Sequence, residues 1–294
     1  MKTNLQLNYI ANMTSQNTCN GTLELPPTNV GYGNQLFIYF MGRIFAEKHH
    51  LNLINPAPSG CFNISKNNRF GNPPSGLRKY ALDDRAYDQS TDEIQYYGKG
   101  HYLIRGHFQF ENALYKNKNL VLSWITYAVN PEDTVSIHVR LDDFYAKQRH
   151  LIININYYID CIKKYADSYS EVQIVCDKLR RPWEVKYMKS LMSRIANLNK
   201  TPIYKPNSIA DDMKTIYNSS VIITSNSTFC FWATFLSNAQ KIISFPYSGL
   251  DVLRNNTLRR WKNNASFFRY DKDSRFLFNY EYNSKVINFF EKMY

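Results

Sequence analysis

The stretch of sequence that decides the fold is VIITSNSTFCFWA, at residues 221–233. Its first residues are mostly β-branched and apolar, which predicts a buried strand. Small hydroxyl and amide residues follow, and then aromatic residues with helical spacing. A strand, a polar turn and a helix start direct backbone N–H groups at an anion. Asn226, Ser227 and Thr228 are therefore candidate anion ligands, although an ordinary strand–helix unit with a good N-cap fits the same pattern.

A second strand with polar residues at its end lies upstream, in TVSIHVRLDDF at residues 134–144. Apolar alternation carries this strand to Val139, and His138, Arg140 and Asp143 stand at its carboxyl end. Ligands of open α/β sheets bind outside the carboxyl ends of the strands. An Arg at this place is suited to bidentate binding of phosphate. A surface Arg–Asp pair explains the charges, but not their concentration in one short window.

Strands and helices alternate through the whole second half of the chain. Besides the two strands above, the pattern predicts strands at 172–176 and 242–246, helices at 154–168 and 183–196, and a helix opened by Asp211 and Asp212. Such alternation predicts a doubly wound parallel sheet. A break at Pro131 separates an N-terminal domain, 1–130, from a C-terminal domain, 131–270, and apolar residues in 271–294 predict a terminal helix packed back on the body.

The first half of the chain contains a glycine turn that opens a helix, in VGYGNQLF at residues 30–37. Gly31 and Gly33 permit a tight turn, and Asn34 can cap the helix. A short strand is predicted to end at Arg105, before the polar and aromatic segment 106–109, and a helix is predicted at 114–129. Residues 1 to about 28 are polar and predict a loose arm or an edge strand, and 55–79 predict a long surface loop.

Composition limits the classes of partner and the compartment. The 294 residues carry a net charge of +12, which favours nucleic acid, an anionic membrane surface or a phosphorylated substrate. The basic residues form no compact run, which argues against nucleic acid and leaves peripheral membrane contact open. Five cysteines without a CxxC spacing argue against a zinc site and a disulfide framework. Without a span of roughly 20 apolar residues or a signal-peptide core, the predicted location is cytoplasmic.

Five segments, in this order along residues 30–235, resemble motifs of the α-1,2-fucosyltransferases of glycosyltransferase family 11. GYGNQLF at 31–37 resembles the first motif, and GHFQ at 106–109 resembles the next, with His107 in place of a Tyr. HVRLDD at 138–143 resembles the third, but Leu141 stands where a second Arg is usual. CD at 176–177 falls where the family has Ser-Asp-Asp, and SNSTF at 225–229 resembles the last motif.

The resemblance implies a GT-B-type α/β fold with two facing Rossmann-like domains and parallel sheets, the C-terminal one binding a nucleotide sugar. It implies inverting transfer of L-fucose from GDP-fucose to a hydroxyl of a glycan, with a galactose-containing acceptor and an α-1,2 linkage. No cofactor and no metal are required. The implied donor ligands are His138, Arg140, Asp211, Asp212, Asn226, Ser227, Thr228, Phe229, Gly33, Asn34 and Gln35; His107 and Gln109 would lie on the acceptor side; Arg140, Asp143 and His107 are the catalytic candidates.

This reaction agrees with the chemistry of the residues. Negative charge grows on the β-phosphate as the sugar–oxygen bond breaks, and without a metal a fixed cation and N–H donors must stabilise it. Arg140 is the candidate cation, and Asp143 and His107 are candidate general bases. Two alternatives stay open: a transferase with another donor or acceptor, and a non-catalytic binding relative, for which Leu141 is the main argument.

Overall fold

The structure, a computed structural model, describes residues 19–26, 29–54, 57–65, 75–88, 90–141, 152–225, 227–244 and 276–278. The chain divides into two α/β units. Described residues up to Ile125 form the first unit, except 59–63, which belong with the residues from Thr126 onward to the second. This division falls near Pro131, where the sequence suggested the domain boundary.

The first unit is built around a parallel sheet in the order β2-β1-β7-β4. Two short strand pairs, β3 with β8 and β5 with β6, accompany this sheet. The elements are β1 (Gly21–Glu24), α1 (Tyr32–Lys48), β2 (Leu51–Ile54), β3 (Asn63–Ile64), β4 (Lys79–Leu82), a 3-10 turn (Asp84–Ala86), β5 (Tyr87–Asp88), β6 (Glu93–Ile94), β7 (Gly100–Ile104), α2 (Glu111–Lys116), α3 (Lys118–Ser123) and β8 (Ile125–Thr126).

Two predictions for this unit are wrong. The prediction of a loose arm or an edge strand fails at β1, which pairs on both sides and buries Leu23 completely. A Cβ at Gly21 would overlap the carbonyl of Gly100, so only glycine allows β1 this close to β7. The single helix predicted at 114–129 is instead α2 and α3, followed by β8. The two helices separate at Asn117, whose side-chain amide donates to the carbonyl of Ala113 at 2.8 Å.

The second unit is a parallel sheet of six strands in the order β11-β10-β9-β12-β13-β14. Its elements are β9 (Glu132–Val139), α4 (Ile155–Tyr165), β10 (Glu171–Cys176), α5 (Pro182–Ala196), β11 (Thr201–Tyr204), α6 (Ile209–Asn218), β12 (Ser219–Ile223), α7 (Thr228–Leu236), β13 (Lys241–Ser244) and β14 (Phe276–Phe278). The predicted α/β class with parallel sheets is confirmed. The terminal helix is wrong at Phe276–Phe278, which pair with β13 as a strand; the rest of 271–294 lies outside the described residues.

The strand order reverses direction between β9 and β12. From β9 the chain adds β10 and then β11 on one side, and afterwards β12, β13 and β14 on the other. At such a switch point the loops after two neighbouring strands leave towards opposite faces of the sheet, which opens a crevice at the strands' carboxyl ends.

Strand β9 has one apolar face and one polar face. Val135, Ile137 and Val139 pack into a buried cluster that also holds residues of α4 and α5. Ser136 and His138 alternate with them and therefore lie on the opposite face, since side chains alternate along a strand. The polar face thus leads along β9 directly to the crevice at the switch point.

Candidate functional site

A buried hydrogen bond joins the two strands that flank the switch point. His138 is the penultimate residue of β9, and Ser225 follows the end of β12. The imidazole Nδ1 of His138 lies 2.6 Å from the hydroxyl Oγ of Ser225. The two residues are only 6% and 3% exposed. Segments that are distant in the sequence therefore meet at the edge of the sheet where ligands of such folds bind.

Burial keeps the imidazole of His138 neutral. Loss of solvation, and secondarily the charge of Arg140, lower its pKa to about 3. A neutral imidazole has one donor nitrogen and one acceptor nitrogen. In the tautomer that carries the proton on Nε2, the Ser225 hydroxyl donates to Nδ1 and Nε2 can donate a hydrogen bond to a ligand.

Two aromatic residues hold His138 in place from different elements. The hydroxyl of Tyr158, on α4, donates to the backbone carbonyl of His138 at 3.0 Å. The ring of Phe229, in the first turn of α7, lies 5.8 Å from the imidazole between ring centres. The side chain and the backbone of His138 are thus both fixed before any ligand binds.

Arg140 connects the end of β9 with the start of α7. It is half-buried, and its guanidinium Nη1 donates to the hydroxyl of Ser227 at 3.4 Å. Ser227 is the N-cap residue of α7, and its side chain makes no capping bond to an amide of this helix. The first amides of a helix have no carbonyl partner within the helix. A cation and a helix start therefore lie side by side, as an anion site requires.

The neighbouring carboxylates Asp211 and Asp212 differ in their surroundings. Asp211 is exposed; its backbone amide donates to the hydroxyl of Ser208 at 3.1 Å, and its carboxylate accepts from that hydroxyl at 2.7 Å. This exchange caps helix α6. Asp212 is 8% exposed, and its Oδ1 is buried without a hydrogen-bond partner among the described residues. Burial raises the pKa of Asp212 to about 6; a side-chain hydrogen bond with Asn207 opposes this rise, and the charges of Asp177 and Asp211 add to it. Asp212, rather than Asp211, therefore has a buried carboxylate oxygen that can accept a hydrogen bond from a ligand.

Cys176 lies at the end of β10, in register with Val139. Burial raises the pKa of its thiol. The charge of Asp212 acts in the same direction and that of Arg140 in the opposite one, so both groups act on the same sulfur. The thiol is therefore uncharged beside the candidate ligands.

Leu141, where the related motif has a second Arg, belongs to the buried core. It is 2% exposed and packs in the cluster with Val139 and Ile153. Because neighbouring residues of an extended segment alternate in direction, Leu141 lies away from the Arg140 face. Having Leu instead of Arg at position 141 therefore leaves the face that carries His138 and Arg140 unchanged.

In the first unit, the structure brings the two predicted motifs together. The amide of Gln109 donates to Oδ1 of Asn34 at 2.9 Å. Helix α1 begins at Tyr32 with Gly31 as its N-cap, so Gly33, Asn34 and Gln35 lie inside its first turn. The predicted capping role of Asn34 is wrong, because the Gly31 carbonyl accepts the amides of Asn34 and Gln35. The Asn34 side chain is instead engaged by Gln109.

His107 stands in the same segment as Gln109. It is half-buried, and its Nδ1 is buried without a hydrogen-bond partner in the described part of the chain. Two predicted site residues, Asp143 and Asn226, lie outside the described residues. Thr228 is half-buried at the first position of α7. Sequence reasoning left out Ser225 and Tyr158, although Ser225 opens the SNSTF motif; the pairing of β9 with β12 is what gives it a role.

Neither a metal centre nor a membrane helix is present in the parts of the chain that the structure describes. No group of three or more His, Cys, Asp or Glu residues is arranged to hold a metal ion there. None of the helices described is long and apolar enough to cross a membrane. Metal independence stays a prediction.

Comparison with known proteins gives one match in sequence and several in fold. The profile of glycosyl transferase family 11 matches residues 90–263, more than half of the chain. Similar solved structures include fucosyltransferase NodZ from Bradyrhizobium, at 13% identity and a TM-score of 0.47, covering 76% of this chain and 96% of that one. They also include a mutant of Arabidopsis thaliana FUT1 in complex with GDP, at 11% identity and a TM-score of 0.48, covering 84% and 75%. Likeness at this level carries no statement about activity. No curated protein matches the chain significantly.

Proposed function

This chain belongs to glycosyl transferase family 11, and we propose that it transfers L-fucose from GDP-fucose to a hydroxyl of a galactose-containing glycan, in α-1,2 linkage and with inversion. The observation that carries the proposal is the pair of contacts across the switch point, His138 with Ser225 and Arg140 with Ser227. They place a neutral imidazole and a cation at the edge where parallel sheets bind nucleotides.

The guanine base fits the two buried groups of the second unit. Guanine presents acceptors at O6 and N7 and donors at N1 and N2. A neutral His138 with its proton on Nε2 donates to an acceptor, and the unpartnered Oδ1 of Asp212 accepts from a donor. Burial of both groups strengthens discrimination, since a base that left either of them unpaired would lose binding energy.

The diphosphate fits Arg140 and the start of α7. As the acceptor oxygen bonds to C1 of fucose, the bond from C1 to the β-phosphate oxygen breaks and GDP leaves with the bonding electrons. Arg140 and the first amides of α7, at Thr228 and Phe229, then stabilise the charge on the leaving phosphate. A fixed cation at this place supplies stabilisation that grows as the bond breaks.

The acceptor side is proposed for the first unit. The bonded amides of Asn34 and Gln109 offer the donors and acceptors that sugar hydroxyls need, and His107 has a ring nitrogen without a partner among the described residues. The acceptor proton passes to a base, for which His107 and Asp143 are the candidates. Gly33 and Gln35 lie in the same helix turn as Asn34, and these three residues stay candidate donor ligands through the start of α1.

The location of Leu141 weakens the alternative of a non-catalytic relative. That alternative rested on the missing second Arg, and the structure assigns position 141 to the hydrophobic core instead. The contact of Arg140 with Ser227 at the start of α7 supports a catalytic role for this edge.

A donor panel tests the proposal. The purified protein is incubated with GDP-fucose, GDP-mannose and UDP-galactose, and nucleotide release is measured with and without lactose-type acceptors. We expect GDP release from GDP-fucose that depends on the acceptor, and an α-1,2-linked product by NMR. Preferential use of UDP-galactose or GDP-mannose, or no release with any donor, contradicts the proposal.

A further inference from the structure

The turn at Gly106–Gln109 is held by a residue outside the motifs. Asp84 lies in the 3-10 turn that follows β4, whereas the Gly106–Gln109 turn follows β7. Because β4 and β7 are parallel neighbours, both segments leave the same edge of the sheet. There the carboxylate Oδ1 of Asp84 accepts the backbone amide of Phe108 at 2.8 Å.

Phe108 has a backbone conformation that a bulky residue rarely adopts. Its φ is +50°, in the left-handed region, and its side chain is completely buried. Such a conformation is unfavourable for a bulky residue and persists only where the surroundings impose it. The bond to Asp84 and the buried ring fix Phe108 from its two sides.

Gly106 shows how closely Asp84 packs on the turn. A Cβ at position 106 would overlap Oδ1 of Asp84 and would lie 2.8 Å from its Cγ. Real Cβ atoms do not approach other atoms this closely, so the carboxylate occupies the space that any side chain at 106 would need. Only a glycine at position 106 leaves room for the Asp84 carboxylate in its present place.

We propose that Asp84 is a positioning residue for the acceptor: by fixing the Gly106–Phe108 backbone, it aims His107 and Gln109 at the acceptor sugar. Gln109, which bonds to Asn34, follows directly on the strained Phe108, so its position depends on the backbone of this turn. The proposal rests on the proposed function, in which this segment binds the acceptor. Asp84 itself acts through the backbone of the turn.

The test compares Asp84→Ala with Asp84→Asn in the full-length protein. Alanine removes the acceptor of the Phe108 amide, whereas the side-chain oxygen of asparagine can still accept it. We expect Asp84→Ala to lower kcat/KM for the acceptor at least tenfold, since small misplacements of positioned groups are costly. The dissociation constant for GDP should stay within about twofold, and Asp84→Asn should retain acceptor kinetics within about threefold.

The neighbouring Asp83 provides a matched control. Its carboxylate binds Arg85 and caps the same 3-10 turn. Asp83→Ala therefore removes an adjacent carboxylate and weakens the same turn without touching the Phe108 amide. We expect its acceptor kinetics to stay within about twofold of the wild type, even where its thermal stability falls as much as that of Asp84→Ala.

Two further measurements separate this inference from the proposed function. Hydrogen exchange at residue resolution should show the Phe108 amide protected in the wild type and in Asp84→Asn, but exchanging faster in Asp84→Ala. Gly106→Ala should impair the acceptor step in the wild-type background. In the Asp84→Ala background it should add a smaller further loss, because the overlap with the carboxylate is then gone and only the close contact with the backbone nitrogen of residue 84 remains. If no substrate is turned over, the proposed function fails while the exchange data still judge the role of Asp84. Unchanged exchange and acceptor kinetics in Asp84→Ala, or an equal loss in Asp83→Ala, overturns the inference.

Discussion

The carboxyl edges of the two parallel sheets differ in charge. At the edge of the second sheet, Arg140 stands beside a helix start, and His138 and Asp212 are buried. At the edge of the first sheet, the side-chain amide of Gln109 donates to that of Asn34, and the backbone amide of Phe108 donates to the carboxylate of Asp84. In the proposed function, the edge of the second sheet binds the diphosphate and the nucleobase, and the edge of the first sheet binds the hydroxyls of a sugar. The same sheet geometry can thus serve two ligand classes through the residues at its edge.

The difference extends to how each edge is fixed. Burial disfavours the charged form of any group, so it lowers the pKa of His138 and raises that of Asp212. Burial therefore keeps His138 neutral at pH 7 and delays the ionisation of Asp212 to about pH 6, while Arg140 supplies a cation at this edge. The first edge is fixed by backbone conformation, with Phe108 in the left-handed region. Substitutions at the two edges should accordingly affect different steps.

The largest expected effect concerns the cation. Arg140→Ala should reduce turnover by about 3 kcal/mol or more of transition-state stabilisation, roughly a hundredfold or more, while the fold stays intact. Arg140→Lys keeps the charge but loses the planar guanidinium fork, so its turnover should lie between that of the wild type and that of Arg140→Ala. Measurement of kcat by GDP release, with circular dichroism as the control of folding, decides this. Near-normal turnover in Arg140→Ala would mean that the second edge does not stabilise the leaving group.

Substitutions of Leu141 test whether the carboxyl edge of the second sheet could hold a second cation at position 141. Leu141→Arg should lower the free energy of unfolding by about 3 kcal/mol, because it places an unpaired charge in the core, and should not tighten GDP binding. Leu141→Met conserves volume and should cost less than about 1.5 kcal/mol. Urea unfolding and GDP titration provide both quantities. A stable Leu141→Arg protein with tighter GDP binding would show that position 141 belongs to the site.

The ionised carboxylate of Asp212 should lower the stability of the protein but strengthen its binding of GDP. Its pKa of about 6 in the folded protein lies above the unfolded value near 3.9, so the folded state binds more protons between these values. The stabilisation is complete below about pH 3.9 and is lost as the pH rises through 6. At pH 8, Asp212→Asn should therefore be more stable by about 1 kcal/mol, yet bind GDP about tenfold more weakly.

The pH dependence of GDP binding provides the control for Asp212. Binding to the ionised carboxylate should tighten between pH 5 and pH 7 in the wild type, whereas Asp212→Asn should show only the ionisation of GDP itself. His138, with its pKa near 3, does not titrate in this window. Parallel profiles for the two proteins would remove Asp212 from the guanine site.

The smallest expected effect is that of chelation. If Arg140 and the start of α7 neutralise the diphosphate, excess EDTA should leave acceptor-dependent GDP release unchanged within error. Abolition by EDTA, with recovery on adding Mn²⁺ or Mg²⁺, would assign the neutralising role to a metal ion. A protein passed over a chelating resin before assay serves as the control.

Several features could be predicted from sequence because they depend on short-range patterns. The alternation of apolar residues in β9 and β10, and the amphipathic helices α4 and α5, follow from periodicity within one segment. Arg140 was identified in the same way, since a strand end is visible in the sequence. The location of Leu141 also follows from alternation, but the resemblance to the Arg-containing motif drew attention to a ligand role instead.

What the sequence alone determined was therefore the class of the fold and the edges at which ligands bind. The tertiary structure decided which of these residues meet. The polar strand β1 lies in the interior of its sheet, Ser225 faces His138, and Asp212 is buried while Asp211 caps a helix. These outcomes depend on the order of strands and on which helix covers each face, and so on contacts between segments far apart in the chain. Local propensity cannot encode such contacts, because the free energy of burial belongs to the packed sheet and its helices together.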